Sequence, residues 1–138
     1  MPRRSRRLFL ESLESREVPT VFTWQPTAPN DYTADYSWNN AANWLNATSG
    51  VTNDGFPDDS TDTAIITSAL AGNQTITLEG LNFTIGALTF GSAAPANGTF
   101  TILADGAGGG LTLDDVGPAT LTKSGTGTLV LSGRSTYT

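Results

Sequence analysis

Residues 119–138 hold two short blocks, 119–123 and 127–131, joined by a turn at Gly125 and Gly127 and filled out with Thr and Ser. Leu121 lies on the first block, and Leu129 and Leu131 lie two apart on the second. Blocks this short, almost uncharged and punctuated by Gly read as strands of a stacked β-structure, since one alone buries almost nothing. The habit extends upstream through 62–69, 74–79, 82–90, 98–104 and 110–114, with Gly or Asn at nearly every break. Ile76 and Leu78 alternate with Thr75 and Thr77, as Phe100 and Ile102 do with Thr99 and Thr101, the period of two that marks a half-buried strand. Within 82–90 the phase slips: Phe83, Ile85 and Ala87 share one parity, Leu88 and Phe90 the other. Gly86 lies just before the slip and marks a bulge or a corner. Leu111, Leu121 and Leu131 recur every ten residues, but the blocks are too uneven for a strict repeat. The pattern predicts an all-β chain, a short degenerate β-solenoid. A β-sandwich is the alternative, because short strands with frequent turns signal it equally well.

Composition narrows the chemistry. The 138 residues suit one domain with a modest core. No Cys and no His are present, which removes disulfides, thiolate metal sites and the commonest general base and zinc ligand. The net charge of −6 is uneven. Arg3, Arg4, Arg6, Arg7 and Arg16 crowd the first seventeen residues, and beyond them Lys123 and Arg134 face ten acids. Such an acidic body repels nucleic acid, so no nucleic-acid partner is expected. No cofactor is expected either, and no stretch is long enough to form a transmembrane segment.

Residues 1–19 read as a separate sorting segment. Phe9 and Leu13 are spaced i, i+4 and Leu10 and Leu13 i, i+3, which predicts a short helix over 5–17 closed by Pro19. Residues 20–61 form a loop-rich aromatic cap region with one strand, 21–24, then turns and the run from Trp38 to Trp44. Residues 62–138 are the β-repeat region.

Two segments resemble known families. The last twenty residues resemble the passenger-associated repeat of autotransporters and related bacterial surface proteins, with the pattern Leu-Thr-Lys-x-Gly-x-Gly-Thr-Leu-x-Leu-Ser-Gly-x-x-Thr-Tyr-Thr. That resemblance implies an extended right-handed β-solenoid, a structural surface role, and a repeat that continues beyond Thr138. The head resembles an N-terminal motif of planctomycete exported proteins through Leu8, Leu10, Glu11, Leu13, Glu14, Arg16, Val18 and Pro19 after a run of Arg. It implies a secreted or cell-surface destination. Trp38 through Trp44, followed by Asp62-Thr63-Ala64, is similar to the Trp-x-x-x-x-Asn-Trp element that opens such β-repeat proteins.

Candidate sites are few. Trp24, Trp38, Trp44 and Tyr36 could stack on carbohydrate, or could cover the open hydrophobic end that a stacked array must hide. Asp54, Asp58, Asp59 and Asp62 could ligate calcium through their oxygens, although their spacing matches no calcium loop, or could cap turns. Asp114 and Asp115 are neighbours and cannot converge in a strand as a glycosidase pair must. Glu79 with Asp105 is a distant alternative that no pattern selects. Asn46, Asn73, Asn82 and Asn97 match the glycosylation acceptor pattern, as chance predicts in a chain rich in Asn and Thr.

The reading that follows is a non-catalytic structural or adhesive module of a secreted or cell-surface bacterial protein. Its expected partners are cell-surface polysaccharide or other repeat proteins. A carbohydrate-binding module is the alternative, and a polysaccharide-cleaving β-helix is the weakest reading. The apolar block 128–131 is expected at an unpaired edge, which invites edge-to-edge self-association.

Overall fold

The computed structural model describes residues 19–26, 36–67, 73–91, 99–105, 108–115 and 117–138. The helix expected over 5–17, with Phe9 and Leu13, lies outside them, as do the sorting motif through Val18, and Asn97. The described chain is nearly all strand. Its single helical element is a 3-10 turn at Ala41–Asn43, opened by Asn40, whose side chain accepts from the Ala42 N–H at 3.1 Å. Among the described residues no helix is long and apolar enough to cross a membrane.

Among the described residues thirteen strands run in chain order: β1 (Val21–Trp24), β2 (Tyr36–Ser37), β3 (Trp44–Asn46), β4 (Val51–Thr52), β5 (Thr63–Ile66), β6 (Gln74–Thr77), β7 (Asn82–Ile85), β8 (Ala87–Gly91), β9 (Thr99–Leu103), β10 (Gly110–Leu113), β11 (Thr120–Ser124), β12 (Thr128–Leu131) and β13 (Thr136–Tyr137). They form three sheets and no closed barrel. The first is mixed and six-stranded, in the order β11-β8-β5-β1-β3-β4. The second has four strands, β12-β9-β6-β2, and the third has three, β13-β10-β7. From β5 onward the chain visits the first, second and third sheets in turn and then begins again, and every pairing there is parallel. The antiparallel pairs belong to the hairpin-like addition β3–β4, which lies beyond β1.

The register explains the side-chain pattern. Parallel partners in register point the same way, so each inward column continues from one circuit to the next. Ala64, Leu88 and Leu121 form one such column in the first sheet, and Ile66, Phe90 and Lys123 form the next. In the second sheet, Gln74, Phe100 and Leu129 share a column, followed by Ile76, Ile102 and Leu131. Thr occupies many of the alternate, outward positions. Thr84, Thr112 and Thr136 stack in register on the third sheet, with the hydroxyls of Thr112 and Thr136 3.1 Å apart. The ten-residue recurrence of Leu111, Leu121 and Leu131 is thus the step from one sheet to the next, because the three lie in β10, β11 and β12. It is not the length of a circuit.

The phase slip at Gly86 is the corner between β7 in the third sheet and β8 in the first. Phe83 and Ile85 face inward before it, and Leu88 and Phe90 after it. A side chain cannot fit at this corner: a Cβ on Gly86 would lie 2.4 Å from the Ser60 carbonyl oxygen. Gly108, by contrast, has nothing within 4 Å. Gly86→Ala is expected to cost about 1–3 kcal/mol as an overpacking strain, while Gly108→Ala stays near neutral. Paired chemical denaturation curves check this; equal stability of the two variants would remove the close approach as the reason for Gly86.

Candidate functional site

Aromatic side chains cluster beside β1 and β2. Trp24 is 2% exposed, Trp38 and Trp44 0%, and Tyr36 6%. Their rings meet edge to face: Tyr36 on Trp24 at 5.6 Å between centroids, Trp24 on Trp44 at 4.9 Å, and Trp44 on Trp38 at 4.9 Å. Trp38 then lies 6.1 Å from Phe83 of β7, and Phe56 meets Phe83 at 5.9 Å. The third sheet starts at β7, one circuit later than the other two. Trp38 and Phe56 pack where its missing neighbour would be. Edge-to-face pairs of this kind add about 0.5–1.5 kcal/mol each beyond the area they bury.

Each indole N–H is satisfied inside this cluster. Trp38 Nε1 donates to the Pro57 carbonyl at 2.8 Å, and Trp44 Nε1 to the Trp38 carbonyl at 2.8 Å. Trp24 Nε1 donates to Gln74 Oε1 at 3.1 Å across fifty residues of sequence. Gln74 itself is buried, and its Nε2 has no hydrogen-bond partner. The indole N–H can only donate, so Gln74 must turn its oxygen that way. Gln74 and Pro57 escape a search for functional residue types. The signal for Gln74 is its parity with Ile76, which places it inward in β6.

These burials correct one expectation. With every ring enclosed, Trp24, Trp38, Trp44 and Tyr36 offer no face to a sugar. They are part of the packed core beside β1, β2 and β3.

The acidic residues lie outside this cap, along a cleft of about 490 Å³ between β1, the β3–β4 addition and the loop that returns to β5. Asp54, Asp58, Asp59 and Asp62 all line it, and the carboxylates of Asp54, Asp59 and Asp62 accept hydrogen bonds within their own loop. Asp62 Oδ2 accepts from the backbone N–H of Asp58 at 3.1 Å and of Asp59 at 3.2 Å. Asp59 Oδ1 accepts from the Thr61 N–H at 2.9 Å, and Asp54 Oδ2 from the Ser49 hydroxyl at 2.7 Å. Among the described residues no three acidic groups converge where they could hold a metal ion. The calcium expectation for Asp54, Asp58, Asp59 and Asp62 thus finds no converging set among the described residues, and the carboxylates of Asp59 and Asp62 cap turns instead. Burial raises the Asp62 carboxyl above its ordinary 3.8, and the charges of Asp59 and Asp58 act the same way against the two backbone hydrogen bonds, which lower it. Asp58 is raised as well, by burial and then by Asp59.

Three further carboxylates among the described residues accept hydrogen bonds from segments distant in sequence. Asp105 Oδ1 accepts from the Gly80 N–H at 3.2 Å, which brings it to the corner that holds Glu79, while Glu79 Oε1 accepts from the Ser37 hydroxyl at 2.7 Å on the opposite side of that corner. Asp114 accepts from the Thr138 hydroxyl at 3.0 Å.

No family model matches the chain, and no curated protein or solved structure matches it.

Two outcomes are expected. Trp44→Ala should cost about 3–5 kcal/mol, as truncation of a fully enclosed aromatic does, and urea denaturation measures it; a loss under about 1 kcal/mol would leave the cap without structural weight. Asp62→Ala should cost about 1–3 kcal/mol, because two backbone donors lose their acceptor, whereas Asp62→Asn keeps an oxygen for them. A carboxyl with a raised folded-state pKa binds its proton more tightly when folded, so its stabilisation is full below the unfolded value and is lost as pH rises through the folded value. Wild type should therefore gain on Asp62→Asn as pH falls from about 7 to about 4. A drift in the opposite direction contradicts the assignment.

Proposed function

We propose that this chain is a short right-handed β-solenoid serving as a structural or adhesive module of a secreted or cell-surface bacterial protein, without catalytic activity. The observation that carries the reading is the unbroken parallel, in-register pairing of β5, β8 and β11, of β6, β9 and β12, and of β7, β10 and β13. Strands that are neighbours in the chain from β5 onward do not pair with each other. A sandwich built from hairpins and Greek keys pairs such neighbours antiparallel. The three columns of strands instead support a stack of circuits, the architecture implied by the resemblance of residues 119–138 to the autotransporter passenger repeat.

In this reading the mechanism is geometric. Most apolar residues lie inside, and Thr on many outward positions gives neutral faces. Such faces suit a spacer, or a surface that contacts polysaccharide or other repeat proteins over a broad area. The carbohydrate-module alternative loses its support with the enclosure of the Trp cluster. The sorting role of residues 1–19 belongs to this proposal through their resemblance to the exported-protein motif.

The experiment is surface labelling of intact source cells with antibody raised against the purified chain. Labelling without permeabilisation is expected, and the signal should fall when residues 1–19 are deleted from the gene. Labelling that needs lysis would reject the surface role.

A further inference from the structure

We infer that the acidic cleft beside β1 is a binding site for an organic cation, a guanidinium or ammonium group held between carboxylates and an aromatic wall. The inference goes beyond the surface role and does not rest on it, so its failure leaves that role standing.

The cleft, of about 490 Å³, falls in the usual range of a small-ligand site, roughly 300–1,000 Å³. Its lining joins two chemistries. Phe22 and Phe56 supply aromatic surface, and Asp54, Asp58, Asp59 and Asp62 supply charge. Among the described residues no Lys or Arg lines it. Gly55, with a φ of +89°, lies against the Phe22 ring: a Cβ there would be 3.5 Å from it. A larger side chain at this position would cover the ring.

The acceptors of the cleft are only partly used. Asp54 Oδ2 accepts from the Ser49 hydroxyl and from Asn46 Nδ2. Asp62 spends Oδ2 on the N–H groups of Asp58 and Asp59, and Asp59 spends Oδ1 on Thr61. Asp62 Oδ1, Asp59 Oδ2 and both carboxylate oxygens of Asp58 are left without a hydrogen-bond partner among the described residues. Burial and then the charge of Asp59 raise the Asp58 carboxyl above its ordinary 3.8. A carboxylate held beside another, with no positive group to offset it, gains most from an added cation.

The arrangement also selects the kind of cation. A metal ion needs several oxygens around one point, and among the described residues no three acidic groups converge in that way. An organic cation asks for less, one or two carboxylates and the face of a ring. Guanidinium fits best, because its plane lies on an aromatic ring while its edge donates to oxygens. Five arginines within residues 1–18 of this chain carry the same group, so the test must separate them from an external ligand.

The probe is agmatine, which carries a guanidinium and an ammonium group, titrated into the isotope-labelled full chain. Saturable amide shifts are expected at Gly55, Phe56, Asp58 and Asp59, and butylurea, a neutral relative, should leave these amides in place. Asp58→Asn combined with Asp59→Asn removes two charges and keeps an oxygen for the Thr61 N–H. This variant should raise the agmatine dissociation constant at least fivefold with little change in thermal midpoint. Added salt should weaken binding. Acid should weaken it too, as Asp54, Asp58, Asp59 and Asp62 take up protons, with Asp58 and Asp62 first because their carboxyls are raised. Arg16→Gln, made together with the same change at positions 3, 4, 6 and 7, separates the sources. Tighter agmatine binding in that variant assigns the site to the chain's own arginines, and equal binding assigns it to an external ligand. No saturable shift at the cleft, equal shifts with butylurea, or undiminished binding by the double Asn variant would overturn the inference.

Discussion

Every parallel layer in this chain satisfies its backbone on one side and leaves an identical demand on the other. That demand organises the molecule. In the proposed stack each circuit places strands over the last in register, and the observed register keeps the apolar columns continuous. It also makes the ends the expensive places, because an uncovered layer exposes both apolar side chains and unpaired backbone groups.

The chain closes one end with its bulkiest residues. Trp24, Trp38 and Trp44 come from three separate segments around β1, β2 and β3, and they meet because β3 folds back antiparallel on β1, pairing Trp24 with Trp44. An indole carries a polar N–H that must find an acceptor once buried. Two of the three find backbone carbonyls in the cap itself. The third reaches Gln74 in the next circuit, which ties the cap to the stack by a hydrogen bond as well as by packing. The unpartnered Nε2 of Gln74 is the cost of that tie, since an amide brings two donors wherever its oxygen is needed. The acidic loop outside this cluster takes a different course, with Asp59 and Asp62 accepting from backbone N–H groups of their own turns.

Much of the β-region is legible in the sequence, for a simple physical reason. Alternation of Thr with Ile, Leu or Phe has one structural meaning, and Gly86 marks a corner because the parity of Phe83 and Ile85 cannot continue into Leu88 and Phe90. The strand blocks from 62 onward therefore fall where β5 to β12 lie, within a residue or two at most ends. The cap region is harder. β2, β3 and β4 are two or three residues long, too short to show a period, and their pairing depends on contacts far apart in sequence. The aromatic cluster is visible as a composition, but composition cannot separate a ring that stacks on a sugar from one that seals a layer. The acidic stretch has the same ambiguity, which only the direction of each carboxylate resolves. Gln74 is hidden because a polar residue at a strand start reads as exposed.

The sharpest test of the stacked arrangement is the set of cross-strand backbone contacts of β8, read from nuclear Overhauser effects in the isotope-labelled chain. Leu88 should show parallel-strand contacts to Ala64 on one side and to Leu121 on the other, and none of the antiparallel ladder kind to β7 or β9. Antiparallel contacts between β8 and either of its sequence neighbours would contradict the stack and return the chain to a sandwich.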